Sequence, residues 1–266
     1  MIKHYEGKLG TFDYDDEEFE TKYFGEDSLH YIGKGLSVDL PKGCIDTSYM
    51  FMDCILPDGF HLGNFDTSNV KNMSWMFANC ILPEEFTLGD NFDTSNIKNM
   101  NGMFSFCIFP ERFTLGDKFD TSKVENISYM FDNCKLPKGF TLGDKFDTSN
   151  VKHMELIFRG CILPKGFTLG DKFDTSNVKD MTWMFCSCIL PEGFSLGDKF
   201  DTSNVEDMTG IFKDCTFPKL FTLGDKFDTS NVERMDYMFF NCNFGEEFAF
   251  GNHFVLKNSP YINNFF

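Results

Sequence analysis

The feature that most constrains this chain is a phrase repeated at a fixed interval. Residues 136–151 read LPKGFTLGDKFDTSNV, and residues 163–178 read the same sixteen letters again. The tetrad FDTS begins at Phe65, Phe92, Phe119, Phe146, Phe173, Phe200 and Phe227, so the interval is 27 residues throughout. A shortened unit, CIDTSYMFMDC, precedes the series at residues 44–54. A degenerate half unit, CNFGEEFAFGNHF, follows it and puts Phe254 in register. An interval that never slips is what stacked coils require, because one inserted residue would shift every later side chain out of its column.

Each unit divides into two parts. In GFTLGDKF the apolar Phe140 and Leu142 alternate with Thr141, the pattern of a short half-buried strand that the Gly-Asp pair then turns. In SNVKHMELIF the apolar residues Val151, Met154, Ile157 and Phe158 fall at steps of three and four, which is helical spacing. The preceding Asp147, Thr148, Ser149 and Asn150 are residue types that cap helix starts. The prolines Pro83, Pro110, Pro137, Pro164, Pro191 and Pro218 stand just before the strand, where a missing N–H costs little. These readings predict an α/β repeat solenoid of about eight coils, each a strand, a turn, a short helix and a turn. Residues 1–36 are expected to form an N-terminal cap, a hairpin with the acidic run Asp13, Asp15, Asp16, Glu17 and Glu18 near its tip. Residues 37–254 hold the coils, and 255–266 form an aromatic C-terminal cap.

The phrase FDTSNVKDMTWMFCSC and its sister units resemble the BspA-like leucine-rich-repeat family, over roughly residues 45–254. That resemblance implies a right-handed leucine-rich-repeat-like stack with a strand ladder on one side. It also implies a bacterial or protozoan surface protein engaged in adhesion.

Composition narrows the chemistry. Phenylalanine occurs 35 times against 2 tryptophans and 5 histidines, a bias toward packing over acid–base or ligand chemistry. A net charge of −17 repels nucleic acid backbones and anionic membranes, so neither direct nucleic acid binding nor membrane insertion is expected. The start lacks the apolar core of a signal peptide, which predicts a cytoplasmic chain with reduced thiols. Cys54, Cys80, Cys107, Cys134, Cys161, Cys188, Cys215 and Cys242 share one repeat position and read as a buried reduced ladder. Cys44 and Cys186 lie outside it, and Cys186 is expected at an exposed turn as the most reactive thiol.

Two carboxylate columns recur. In the one through Asp66 and Asp147 each carboxylate can accept the backbone N–H groups of the residues that follow it. In the one through Asp90 and Asp144 the neighbouring lysines can compensate the charge. Neither gathers the oxygens a calcium ion needs. The histidines His4, His30, His61, His153 and His253 share no repeat position, and no phosphate loop or zinc-protease motif occurs. The chain therefore reads as a non-enzyme with no metal and no cofactor.

One column varies where the rest are uniform: Trp75, Gly102, Tyr129, Leu156, Trp183, Gly210 and Tyr237. On a helical wheel it lies about 160° from the apolar face, hence outward. Trp75, Tyr129, Leu156, Trp183 and Tyr237 are accordingly the candidate partner-binding residues. The competing reading lays these rings flat over the neighbouring helix. The leading function is a scaffold that binds a protein partner along this edge, and a basic partner fits the charge. An acidic nucleic-acid mimic that blocks a DNA- or RNA-binding protein is one alternative, and the surface adhesin implied by the resemblance is another.

Overall fold

The computed structural model describes residues 2–15, 23–24, 30–31, 35–256 and 261–266. Its strands are short and pair two by two. Strand β1 (Ile2–Gly7) runs antiparallel to β2 (Gly10–Asp15), and β3 (Tyr23–Phe24) to β4 (His30–Tyr31). Strand β5 (Ser37–Val38) is parallel to β6 (His61–Leu62), and β7 (Leu220–Thr222) to β8 (Glu247–Ala249). Between these pairs the 27-residue units lie side by side, joined by parallel bridges such as Asn99 to Asn126, His153 to Asp180 and Ile162 to Ile189.

No helix occurs among the described residues, so the helix expected in each unit is corrected. The segment folds instead as a run of tight turns. Met76 donates its N–H to the carbonyl of Met73 at 3.3 Å, Ala78 to Trp75 at 3.2 Å and Cys80 to Phe77 at 3.2 Å, each a three-residue closure. The intervening N–H groups leave the unit altogether. Met73 donates to Asn99 at 2.9 Å, Trp75 to Asn101 at 2.7 Å, Phe77 to Met103 at 2.8 Å and Asn79 to Ser105 at 2.7 Å. Trp75 and Asn79 hold φ of +57° and +54°, a left-handed conformation that a right-handed helix excludes. The steps of three and four bury Val70, Met73, Met76 and Phe77 in either arrangement. A helix of about nine residues is unstable alone and satisfies only itself. The turn array spends every second N–H on its neighbour.

Inside, columns of one residue type stack unit upon unit. One column of phenylalanine rings runs from Phe51 through Phe77, Phe104, Phe131 and Phe158 to Phe266, with steps between 5.0 and 6.2 Å. Buried polar groups are bonded along the same axis. Thr148 donates its hydroxyl to the carbonyl of Asp174 at 2.7 Å, and Thr121, Thr175 and Thr202 repeat the contact at 2.7–2.8 Å.

The strand expected in GFTL forms only at the two ends of the stack, as β5–β6 and β7–β8. Ring spacing differs accordingly. Phe221 and Phe248, inside the bonded pair, are 5.6 Å apart, whereas Phe86 to Phe113 and Phe167 to Phe194 are 6.5 and 6.4 Å. The middle segments form no such ladder, and their rings are the more widely spaced. Shallow clefts open between them, one of about 520 Å³ lined by Thr141, Gly143, Asp144, Thr168, Asp171 and Lys172.

The two ends differ. At the first, the β1–β2 hairpin turns through Lys8 and Leu9, Ile45 donates to the Leu9 carbonyl at 2.8 Å, and buried Tyr31 donates its N–H to Met50 at 2.7 Å while packing on Phe51 and Phe60. The acidic residues Asp16, Glu17 and Glu18 lie outside the described residues. At the second, residues 261–266 form a further turn array. Met235 donates to Tyr261, Tyr237 to Asn263 and Phe239 to Phe265 at 2.8–3.0 Å, and Asn264 takes the left-handed φ of +51°.

Because each unit buries its face on the next, Phe158→Ala is expected to cost about 3–5 kcal/mol in urea denaturation. An unchanged midpoint would show that the ring column does not carry the packing.

Candidate functional site

The variable column sits at the left-handed position of each turn array. Trp75, Tyr129, Leu156, Trp183 and Tyr237 have φ between +57° and +60°, and Gly102 and Gly210 have +62° and +61°. The column is outward, though by turn geometry and not by a helical face. The side chains do not stand clear of the surface: both tryptophans and both tyrosines are half-buried, and Leu156 is buried at 8% exposure.

The glycines explain how the rings lie down. A Cβ on Gly102 would stand 2.5 Å from the Trp75 ring, and one on Gly210 would stand 2.5 Å from Trp183, so each tryptophan covers the glycine of the next unit. Each then reaches the tyrosine of the unit beyond, Trp75 to Tyr129 at 5.8 Å and Trp183 to Tyr237 at 6.5 Å between ring centroids. The column thus holds two groups of the same kind, Trp75–Gly102–Tyr129 and Trp183–Gly210–Tyr237. Leu156 belongs to neither. Lys213 lies over the Trp183 ring at 5.4 Å and pairs with Asp214 at 3.3 Å.

Three positions after the aromatic column is the one that carries Cys186. Its expected exposure is corrected: Cys186 is 6% exposed, because this position turns inward beside Ala78, Ser105 and Asp132, all buried. Asp132 is 1% exposed and is held by Arg159 of the next unit through two hydrogen bonds of 2.8 and 2.6 Å. The ladder cysteines donate their thiols to phenylalanine carbonyls one unit back, as Cys161 to Phe131 at 2.9 Å and Cys188 to Phe158 at 2.8 Å. Burial pushes these thiols up, Cys134 to about 12, against about 11 for the half-buried Cys54 and Cys242. All ten cysteines are free.

The carboxylates of the Asp66 column accept the amide two residues on, at 2.7–3.0 Å. Burial raises the Asp120 carboxyl, but the hydroxyl and amide of Ser122 and the charges of Lys145 and Lys172 outweigh it and leave it lowered. Lys145 and Lys172 thus act on Asp120 of the first column, as Lys199 and Lys226 do on Asp174. On the bridge-bearing face Glu125 pairs with Lys98 and Lys152 at 2.8 Å, and Lys179 with Glu206 at 2.6 Å. There Asp180 takes the place of Asn72, Asn99 and Asn126, accepting the Thr182 amide at 2.8 Å. Burial raises its carboxyl, against the Thr182 hydrogen bonds and together with the charges of Glu155 and Asp207. No group of three metal-ligating side chains forms among the described residues.

Sequence reasoning missed a second exposed row. Ile55, Ile81, Ile108, Ile162 and Ile189 follow the ladder cysteines and point outward, from 74% exposed at Ile55 to 39% at Ile81, with Phe106 exposed beside Ile108. The signal was available: each isoleucine stands between a cysteine and a leucine or phenylalanine that are buried or half-buried, so alternation turns it out.

A chain of 27-residue units joined edge to edge is a repeat protein. The chain belongs to the family described as Mycoplasma protein of unknown function, DUF285, whose model matches residues 45–162, 111–190 and 165–249. No curated protein and no solved structure matches it.

Three outcomes follow from this geometry. Gly102→Ala and Gly116→Ala share the cost of a side chain at positive φ, about 1 kcal/mol. Only the first meets a ring, since nothing lies within 4 Å of a Cβ at Gly116. Gly102→Ala should therefore destabilise more, and Trp75→Ala should remove the excess; equal effects in denaturation would deny the contact. Native thiol titration should label Cys54 and Cys242 ahead of Cys186 and the other ladder thiols, and early labelling of Cys186 would contradict its burial.

Because the folded-state pKa of Asp180 is raised, ionising it weakens the fold as pH climbs above the ordinary carboxylate range. Asp180→Asn keeps the acceptor and should raise the melting temperature at neutral pH but not at about pH 3 or below, where the carboxyl is largely protonated in both states. A gain at both pH values would reject the charge explanation.

Proposed function

We propose that this chain is a BspA-like, right-handed leucine-rich-repeat-type solenoid that acts as a non-enzymatic scaffold for a protein partner, engaged along the row of Trp75, Tyr129, Trp183 and Tyr237. The observation that carries this reading is the pair of ring groups, each held flat by a glycine that fits only because it has no side chain. Aromatic rings already immobilised lose little freedom on binding, and half-exposed rings of this type are what partner surfaces concentrate. Two such groups four units apart offer a partner two fixed contacts on one rigid edge. Leu156, buried between them, serves the packing.

The test joins a thermal melt to partner capture from cell extract. Variants with Trp75→Ala and Trp183→Ala, assayed where they remain folded, should weaken capture by about 2 kcal/mol or more. Variants with Thr141→Ala and Thr168→Ala, exposed on another face, should capture as the parent does. Undiminished capture by the folded tryptophan variants would remove this row from the binding surface.

A further inference from the structure

The two ring groups lie four units apart and differ at the positions that follow the rings. In the second group the Lys213 ammonium lies over the Trp183 ring, 5.4 Å from its centroid and 5.9 Å from that of Phe240, and pairs with Asp214 at 3.3 Å. That group carries its own cation. In the first, Ser105 stands where Lys213 does, Asp132 where Phe240 does and Phe106 where Asp214 does. Ser105 is buried, its hydroxyl has no hydrogen-bond partner among the described residues, and it is too short to reach over a ring. Arg159, the next cation along the same column, is committed to Asp132 by two hydrogen bonds. Among the described residues no cation lies over Trp75. Phe106 is the other difference. It is 51% exposed at a φ of +56°, a left-handed position that the other units fill with Asp, Asn, Gly or Ser. A bulky residue there is strained, and a ring left half in solvent gains little packing in return.

We propose that the Trp75–Tyr129 group seats a lysine side chain of a basic protein partner, its ammonium over the Trp75 ring and its methylenes along Phe106. This rests on the reading of the aromatic row as a partner surface, and it divides that row. The first group takes the partner's lysine, while the second is already filled by Lys213. The chain supplies the precedent for the geometry. Trp75 and Trp183 each lie on the glycine of the next unit, and Lys213 shows that a ring so placed accepts an ammonium. Indole is the aromatic face that attracts a cation best, and a lysine stem covers apolar surface while its head stays wet. The charge agrees, since a net −17 draws a basic segment toward the chain.

The probe is the peptide acetyl-Gly-Lys-Gly-amide, titrated into the full chain while NMR follows the indole N–H signals of its two tryptophans. A matched peptide with norleucine in place of lysine keeps the stem and removes the charge. The Trp75 signal should shift saturably with the lysine peptide, and the norleucine peptide should bind about three- to fivefold more weakly. Trp183 should stay silent in the parent chain and respond in Lys213→Ala, which uncovers its ring. Phe106→Asn, which installs a residue other units hold at this position, should keep the fold and weaken the Trp75 response. Equal binding of the norleucine peptide, equal shifts at both tryptophans of the parent, or no shift at Trp75 would overturn the proposal. So would a silent Trp183 in folded Lys213→Ala, or an unchanged response in Phe106→Asn. Partner capture that falls with Trp75→Ala while Trp75 ignores the lysine peptide would keep the row as a partner surface and overturn its lysine.

Discussion

The structure depends on backbone hydrogen bonds that run along the stack. In the turn arrays alternate N–H groups cross to the carbonyl 26 residues on, or 25 in the shortened first unit, as Phe131 to Ile157 at 3.0 Å and Phe158 to Met184 at 3.0 Å, while the others close three-residue turns within the unit. Each bond is worth only about 1 kcal/mol net. Their effect is geometric: they set the unit spacing to which every side-chain column must conform. The phenylalanine rings stack because that spacing suits an aromatic face, and the threonine hydroxyls and cysteine thiols stay buried because a carbonyl of the adjacent unit lies within reach.

The same bonds explain where the order relaxes. On the GFTL side no ladder binds the middle units, the rings there stand 6.4–6.5 Å apart, and clefts open between the loops. Where β7 and β8 do bond, the rings close to 5.6 Å. Buried charge is admitted into the column of Ala78 and Ser105 at one place, where Asp132 and Arg159 occupy adjacent units and answer each other through two hydrogen bonds. Removing either partner would strand the other.

Much of this was legible in the sequence, because a strict 27-residue period fixes which residues share a column before any conformation is assigned. The buried phenylalanine and cysteine columns could be read that way. The conformation inside a unit could not. Val151, Met154, Ile157 and Phe158 satisfy the spacing of a helix, yet a run of tight turns buries the same positions. What separates the two is the left-handed residue at Leu156, which hydrophobic spacing does not encode. The glycines at 102 and 210 were the clue, since a helix interior disfavours glycine while a left-handed turn position welcomes it. Their pairing with Trp75 and Trp183 was visible only as variation in a column; that the tryptophan of one unit roofs the glycine of the next is a matter of neighbouring units. Cys186 was misjudged for a related reason: polar residues at its position suggested exposure, whereas Asp132 and Arg159 are there to satisfy each other.

The bonds that hold the units together also fix the turn geometry that sets the aromatic row along the side of the stack. The decisive point is the identity of the acceptor for each turn amide, and scalar coupling across the hydrogen bond, measured by NMR on labelled protein, reads that directly. The account predicts a coupling from the Phe131 amide to the carbonyl of Ile157. A coupling from Phe131 to the carbonyl of Ile127, four residues back as in a helix, would contradict it.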